Sequence, residues 1–253
     1  MSISGTTLSK YFLLSDTVFR MDCAVSIGDT QIFHPFRISP TEADIVVHVD
    51  MAPVPNCTGY ASIHRTGNTF TLHLNPQKIS VPEDWHVFSL LPITQILLER
   101  GTLILHASGV ICRDRAILFS GPSGIGKSTQ AQLWQQYRSG TVINGDRCLI
   151  YQKDGVYYAS SHLHCGSSGI AEGHRAPIDA IILLDQGLEN IVTHPSPIAA
   201  FQKILHQCAY EPSDQLQLRQ ATDLVAKLVS GVTVLQYQCR KDESSVIELE
   251  RIL

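Results

Sequence analysis

The stretch Gly121, Pro122, Ser123, Gly124, Ile125, Gly126, Lys127, Ser128 constrains this chain more than any other. It fits G-x-x-x-x-G-K-[ST], a loop that needs a strand before it and a helix after it. Residues 116–120 supply an apolar strand, and residues 127–137 supply a helical run. The glycines let consecutive backbone N–H groups converge on a phosphate. The new helix adds its positive N-terminal end. Lys127 offers a point charge to the β- and γ-phosphates, and the Ser128 hydroxyl can ligate Mg²⁺. Residues 121–129, closing on Thr129, therefore imply a nucleoside triphosphate site, with ATP and Mg²⁺ as the expected cofactors.

Composition narrows the class. The chain has 253 residues, 44 % hydrophobic and 17 % charged, a balance that supports one large domain or two small ones. A net charge of −4 lacks the basic face that a nucleic-acid binder shows, so no nucleic-acid partner is expected. No apolar run reaches the ~18 residues of a membrane span, and no signal-like segment stands at the N-terminus. Seven cysteines are scattered without a C-x-x-C pair, which argues against a disulfide framework or zinc site. A soluble, cytoplasmic protein with no membrane partner is the expectation.

Along the chain, residues 1–84 form a β-rich region. Strands are expected at 11–14, 18–21, 43–49, 60–64 and 69–74, with a hairpin turn at Thr66-Gly67-Asn68 and breaks at Pro53, Pro55 and Pro82. Residues 85–98 have helical spacing, with a start or a kink near Pro92. Residues 85–253 are expected to form the nucleotide-binding domain. Its strands are expected at 103–106, 116–120, 142–144, 149–151, 156–158, 178–184 and 232–237. A loop is expected at 160–177, and helices at 127–137, 198–208, 214–229 and after Asp242.

The segments Leu105-His106-Ala107-Ser108-Gly109-Val110, 116–129 and Val142-Ile143-Asn144-Gly145-Asp146-Arg147 resemble the catalytic domain of the HPr kinase/phosphorylase family. The resemblance runs from about residue 103 to the C-terminus. It is nearest to the HPr-kinase-like serine kinases of lasso-peptide and related peptide gene clusters. It implies an α/β fold of the HPr kinase/phosphoenolpyruvate-carboxykinase type, preceded by a smaller β-rich N-terminal region. It also implies a phosphotransferase acting on a serine of a peptide precursor or small carrier protein, and a homo-oligomer. His106 falls where the family has its histidine near the transferred phosphate. Asp146 falls on the second aspartate of the family's Asp-Asp pair, as base and metal ligand beside Ser128. The first aspartate of that pair is Gly145 here, and Thr129 stands where the bifunctional enzymes have glutamate. Both departures argue against the reverse, phosphorolytic reaction.

The catalytic candidates are thus Asp146, His106 and Lys127, and the metal candidates are Ser128 and Asp146. Asp185 ends an apolar run and could hold Mg²⁺ through water, or simply cap a turn. His162, His164, Cys165, Ser167 and Ser168 lie in a polar loop that can contact the acceptor. Arg147 and Arg175 are candidates to stabilise transferred charge. Two other readings stay open: a nucleotide-dependent binding module with weak ATPase, and a kinase for a small metabolite.

Overall fold

The computed structural model describes residues 8–52 and 59–253, so Pro53, Pro55 and Cys57 lie outside the described residues. The chain is mixed α/β with two sheets. It divides into two compact units, Met1–Ile93 and Thr94–Leu253.

In the first unit, β1 (Leu8–Leu14) and β2 (Thr17–Cys23) form an antiparallel hairpin. A six-residue 3-10 helix, Gln31–Phe36, follows, one the sequence patterns did not suggest. Then come β3 (Ile45–Met51), β4 (Ala61–Thr66) and β5 (Thr69–Leu74), giving the sheet order β1-β2-β3-β5-β4. Period-2 alternation buries one face: Phe12, Phe19, Met21, Val47, Phe70 and Leu72 are each at most 1 % exposed. Helix α1 (Asp84–Leu90) closes over that face. The Phe88 ring meets Phe12, Phe19 and Phe33 edge-on at 4.9, 5.7 and 5.6 Å. Those contacts keep α1 with the N-terminal unit, whereas the sequence reading began the second domain at residue 85. Pro92 breaks the helical stretch, and α2 (Ile93–Glu99) starts after it.

The second unit holds β6 (Leu103–Cys112), β7 (Arg115–Ser120), α3 (Lys127–Arg138), β8 (Thr141–Asn144), β9 (Arg147–Lys153), β10 (Val156–Ser161), β11 (Arg175–Gln186), β12 (Ile191–Thr193), α4 (Pro197–Gln207), α5 (Gln215–Gly231), β13 (Thr233–Cys239) and α6 (Glu243–Glu250). The eight-stranded sheet runs β10-β9-β6-β7-β11-β13-β12, with β8 beside β6. Strands β7, β11 and β13 are parallel and central. Both their faces are covered, which explains the near-continuous apolar run Ile181-Ile182-Leu183-Leu184. On one face Leu118, Ile181 and Leu183 pack with Ile204 of α4 and Val225 and Leu228 of α5. On the other, Phe119, Ile182 and Leu184 pack with Trp134 of α3 and Val246 and Leu249 of α6. Asp242 caps α6 by accepting from Ser244 N at 2.9 Å. The C-terminal ends of the parallel strands leave their loops at one edge, where α/β sheets bind ligands. No helix among the described residues is long and apolar enough to cross a membrane.

Candidate functional site

The glycine-rich loop joins the buried end of β7 to the first turn of α3. Gly121 and Gly126 have φ of 148° and 115°, which L side chains rarely adopt, so the motif's two fixed glycines are required by backbone conformation. Lys127 is only 7 % exposed. Its Nζ donates to the carbonyls of Gly121 (2.9 Å) and Pro122 (3.1 Å), bracing the loop. Burial holds its pKa below the usual lysine value, with Asp146 opposing.

Ser128, next in α3, donates from Oγ to Gly145 O at 3.0 Å. Ser108 of β6 is fully buried and donates to the same carbonyl at 2.7 Å, with its Oγ 3.2 Å from Ser128 Oγ. The loop serine is therefore tied to the residue just before Asp146. Sequence reasoning had given Ser108 no role; its place two residues from His106, on the same face of β6, was the available signal.

Asp146 is held from behind by Asn144, another residue without an expected role. Asn144 Oδ1 accepts from the backbone N–H of Asp146 (2.9 Å) and Arg147 (2.8 Å). Its Nδ2 donates to Ser161 Oγ and to the carbonyls of His162 and His164. One fully buried amide thus fixes both the carboxylate's turn and the loop after β10. His106 Nε2 stands 3.3 Å from Asp146 Oδ1, and Arg147 Nε stands 3.5 Å from Oδ2. His106 Nδ1 is 3.2 Å from Gln207 Oε1 at the end of α4. Burial lowers the His106 pKa below the ordinary histidine value, Lys127 adds to this and Asp146 opposes it. His106 is therefore neutral near pH 7.

The expected loop at 160–177 is shorter, because β10 runs to Ser161 and β11 begins at Arg175. His162 is buried, accepts from His164 N at 2.9 Å through Nδ1, and has its pKa pushed down to about 3 by burial. His164 is exposed as a residue, yet partial burial of its ring lowers its pKa, Arg147 adds to this and Asp146 opposes it. Cys165 is buried, and Ser168 Oγ donates to its carbonyl at 2.5 Å. A side chain at Gly166 would come within 2.9 Å of Asp146 Cγ, so this loop lies directly on the carboxylate. The side chain of Ser167 lies outside the described residues. Among the described residues, no group of three or more His, Cys, Asp or Glu side chains is placed to hold a metal ion.

Asp185, the second-last residue of β11, accepts from Gln236 Nε2. With Ser120, Gly121 and Gln207 it lines a cleft of about 400 Å³ beside the phosphate loop. Arg175 is the first residue of β11, paired with Ser160 of β10, so it belongs to a strand and not to the expected loop. Hard oxygen donors suit Mg²⁺, which is usually held by one or two protein oxygens, substrate phosphates and water. Ser128 and Asp146 fit that pattern.

No family model matches the chain, and no curated protein matches it. One solved structure it is similar to is the HPr(Ser) kinase/phosphatase from Coxiella burnetii. The identity is 12 %, the match covers 59 % of this chain and 96 % of that one, and the TM-score is 0.32.

Proposed function

We propose that this chain is an ATP- and Mg²⁺-dependent kinase of the HPr kinase-like type, transferring the γ-phosphoryl group to a seryl hydroxyl of a peptide precursor or small protein. The observation that carries the reading is the link from the phosphate loop to a carboxylate: Ser128 Oγ bonds Gly145 O, and Asp146 follows with His106 Nε2 3.3 Å from it. A loop that only switched shape on nucleotide binding would have no need of a carboxylate and a neutral imidazole beside its serine.

In this reading residues 121–129 hold the phosphates through backbone N–H groups. Lys127 exchanges its bonds to the Gly121 and Pro122 carbonyls for phosphate oxygens. Ser128 and Asp146 would hold Mg²⁺, which would supply positive charge against the phosphate oxygens. Asp146 accepts the proton of the attacking seryl hydroxyl, and His106 orients the transferred group. Arg147, beside Asp146, offsets charge on the group in transit. His164 and the 165–169 loop, lying over Asp146, border the acceptor. Most of the acceleration comes from positioning and electrostatics.

Intact-mass spectrometry tests this. Candidate acceptors, the peptides encoded beside the gene, are incubated with the protein, ATP and Mg²⁺. A gain of one phosphate that disappears with Asp146→Asn supports the kinase. ATP hydrolysis without a phosphorylated acceptor favours the nucleotide-dependent binding module. Phosphate found on a small molecule instead favours a metabolite kinase.

A further inference from the structure

The phosphate loop has a cleft on either side. The cleft lined by Gly121 and Asp185 includes Gln207, the partner of His106, so it lies on the reacting side. The other, about 360 Å³, is lined by Ile125, Gly126, Gln130, Gly187, Cys239 and Arg240, and contains none of the residues around Asp146. It opens where β11 and β13 end, at Gln186 and Cys239. Its wall is fixed. Gln130, 1 % exposed, donates from Nε2 to Cys239 Sγ (3.1 Å) and Arg240 O (2.8 Å), and its Oε1 accepts from Ser245 Oγ (3.1 Å). Leu188 stands at the same cleft 90 % exposed, an apolar side chain with nothing over it.

A nucleoside triphosphate has two unlike ends. If the reacting phosphate faces Asp146, the base and ribose must leave the loop in the other direction. We infer that the cleft between the start of α3 and the β13–α6 turn receives the nucleoside, with Cys239 in its wall, Ile125 and Leu188 against the base, and Arg240 and Lys241 near its first phosphate. The volume is at the lower end of small-ligand pockets, enough for one base and sugar. This inference rests on the proposed nucleotide-binding reading.

The test is protection of Cys239 from a small thiol reagent, mapped by peptide mass spectrometry. Burial raises the Cys239 thiol to about 11, so labelling is run at alkaline pH. Bound ATP is expected to slow Cys239 labelling by about 10-fold or more, while inorganic tripolyphosphate, which fills the loop without a nucleoside, leaves it unchanged. Cys239→Trp is expected to weaken ATP by about 10-fold or more and spare tripolyphosphate. ATP bound, by equilibrium dialysis, with Cys239 still labelled at the free rate overturns the nucleoside cleft alone. The same holds if Cys239→Trp leaves ATP affinity intact. No binding of either ATP or tripolyphosphate overturns the nucleotide-binding reading and this inference with it.

Discussion

Ser168 occupies the space that any side chain at position 145 would need. A Cβ placed on Gly145 comes within 2.2 Å of Ser168 Oγ and 2.4 Å of its Cβ. Ser168 itself is held by its bond to Cys165 O. The constraint at Gly145 is therefore spatial: a serine from the neighbouring loop fills the place that a side chain there would take. Gly145→Ala is expected to destabilise by about 1–3 kcal/mol through overpacking. Ser168→Gly in the same chain should recover part of that loss. Thermal unfolding of the two single variants and the double variant measures the coupling, and strictly additive effects would refute it.

Lys127→Ala should lower phosphoryl transfer by about 10²-fold or more, the size of losing one charge stabiliser at a reacting group. Asp146→Asn should also lose transfer, because an amide cannot accept the hydroxyl proton. Initial rates of acceptor phosphorylation check both. Transfer by Lys127→Ala at near the parental rate would make the mechanism wrong.

The neutral state of His106 follows from burial first and the neighbouring Lys127 charge second, against Asp146. Its titration midpoint, read from the imidazole resonances by NMR, should lie below the ordinary ~6.5. Lys127→Ala should raise it. Transfer that depends on neutral His106 then persists below pH 6.5 and falls only as pH drops through the lowered midpoint. A midpoint at or above the ordinary value would contradict this electrostatic account.

The phosphate loop was legible because its backbone demands are written in fixed glycines, and β11 because a central parallel strand is apolar throughout. His106 and Asp146 could be singled out through the resemblance, though their 3.3 Å approach could not be read from the sequence. Ser108 and Asn144 escaped notice because a buried hydroxyl and a buried amide act through hydrogen bonds between distant segments, which leave no local pattern. The short β12 and the 3-10 helix depend on tertiary pairing rather than periodicity. Arg175 was misplaced for the opposite reason: β11 begins earlier than its apolar run, so a residue assigned to a loop became the far end of a strand.

In the N-terminal unit, Lys10 and Asp84 form an ion pair at 2.7 Å with side chains 5 % and 0 % exposed. Lys10 also donates to Ile27 O at 2.7 Å, and Arg37 reaches the other Asp84 oxygen at 2.8 Å. Asp84→Ala leaves Lys10 with the half-exposed Asp29, at 2.8 Å, as its remaining carboxylate and takes the buried one from Arg37, and should destabilise by about 3–5 kcal/mol. Replacing both Lys10 and Asp84 with apolar residues should be milder than Asp84→Ala alone. Denaturant unfolding decides it, and a double variant that is worse than the single would count against the desolvation argument.

His162 makes stability depend on pH in a definite direction. Burial pushes its pKa down to about 3, while the unfolded value is near 6.5. The folded state therefore favours the neutral ring. That contribution is fully present above pH ~6.5 and is lost as pH falls from there toward 3, at up to about 1.4 kcal/mol per pH unit. His164 and His106 also have lowered values, but they remain in any His162 variant and cancel in the comparison. His162→Gln keeps an oxygen that can accept from His164 N, and it does not titrate. Its Tm should accordingly fall less steeply than that of the parent between pH 6.5 and 4.5. Parallel Tm curves for the two proteins would mean that His162 is reached by water and gains its proton in the folded state.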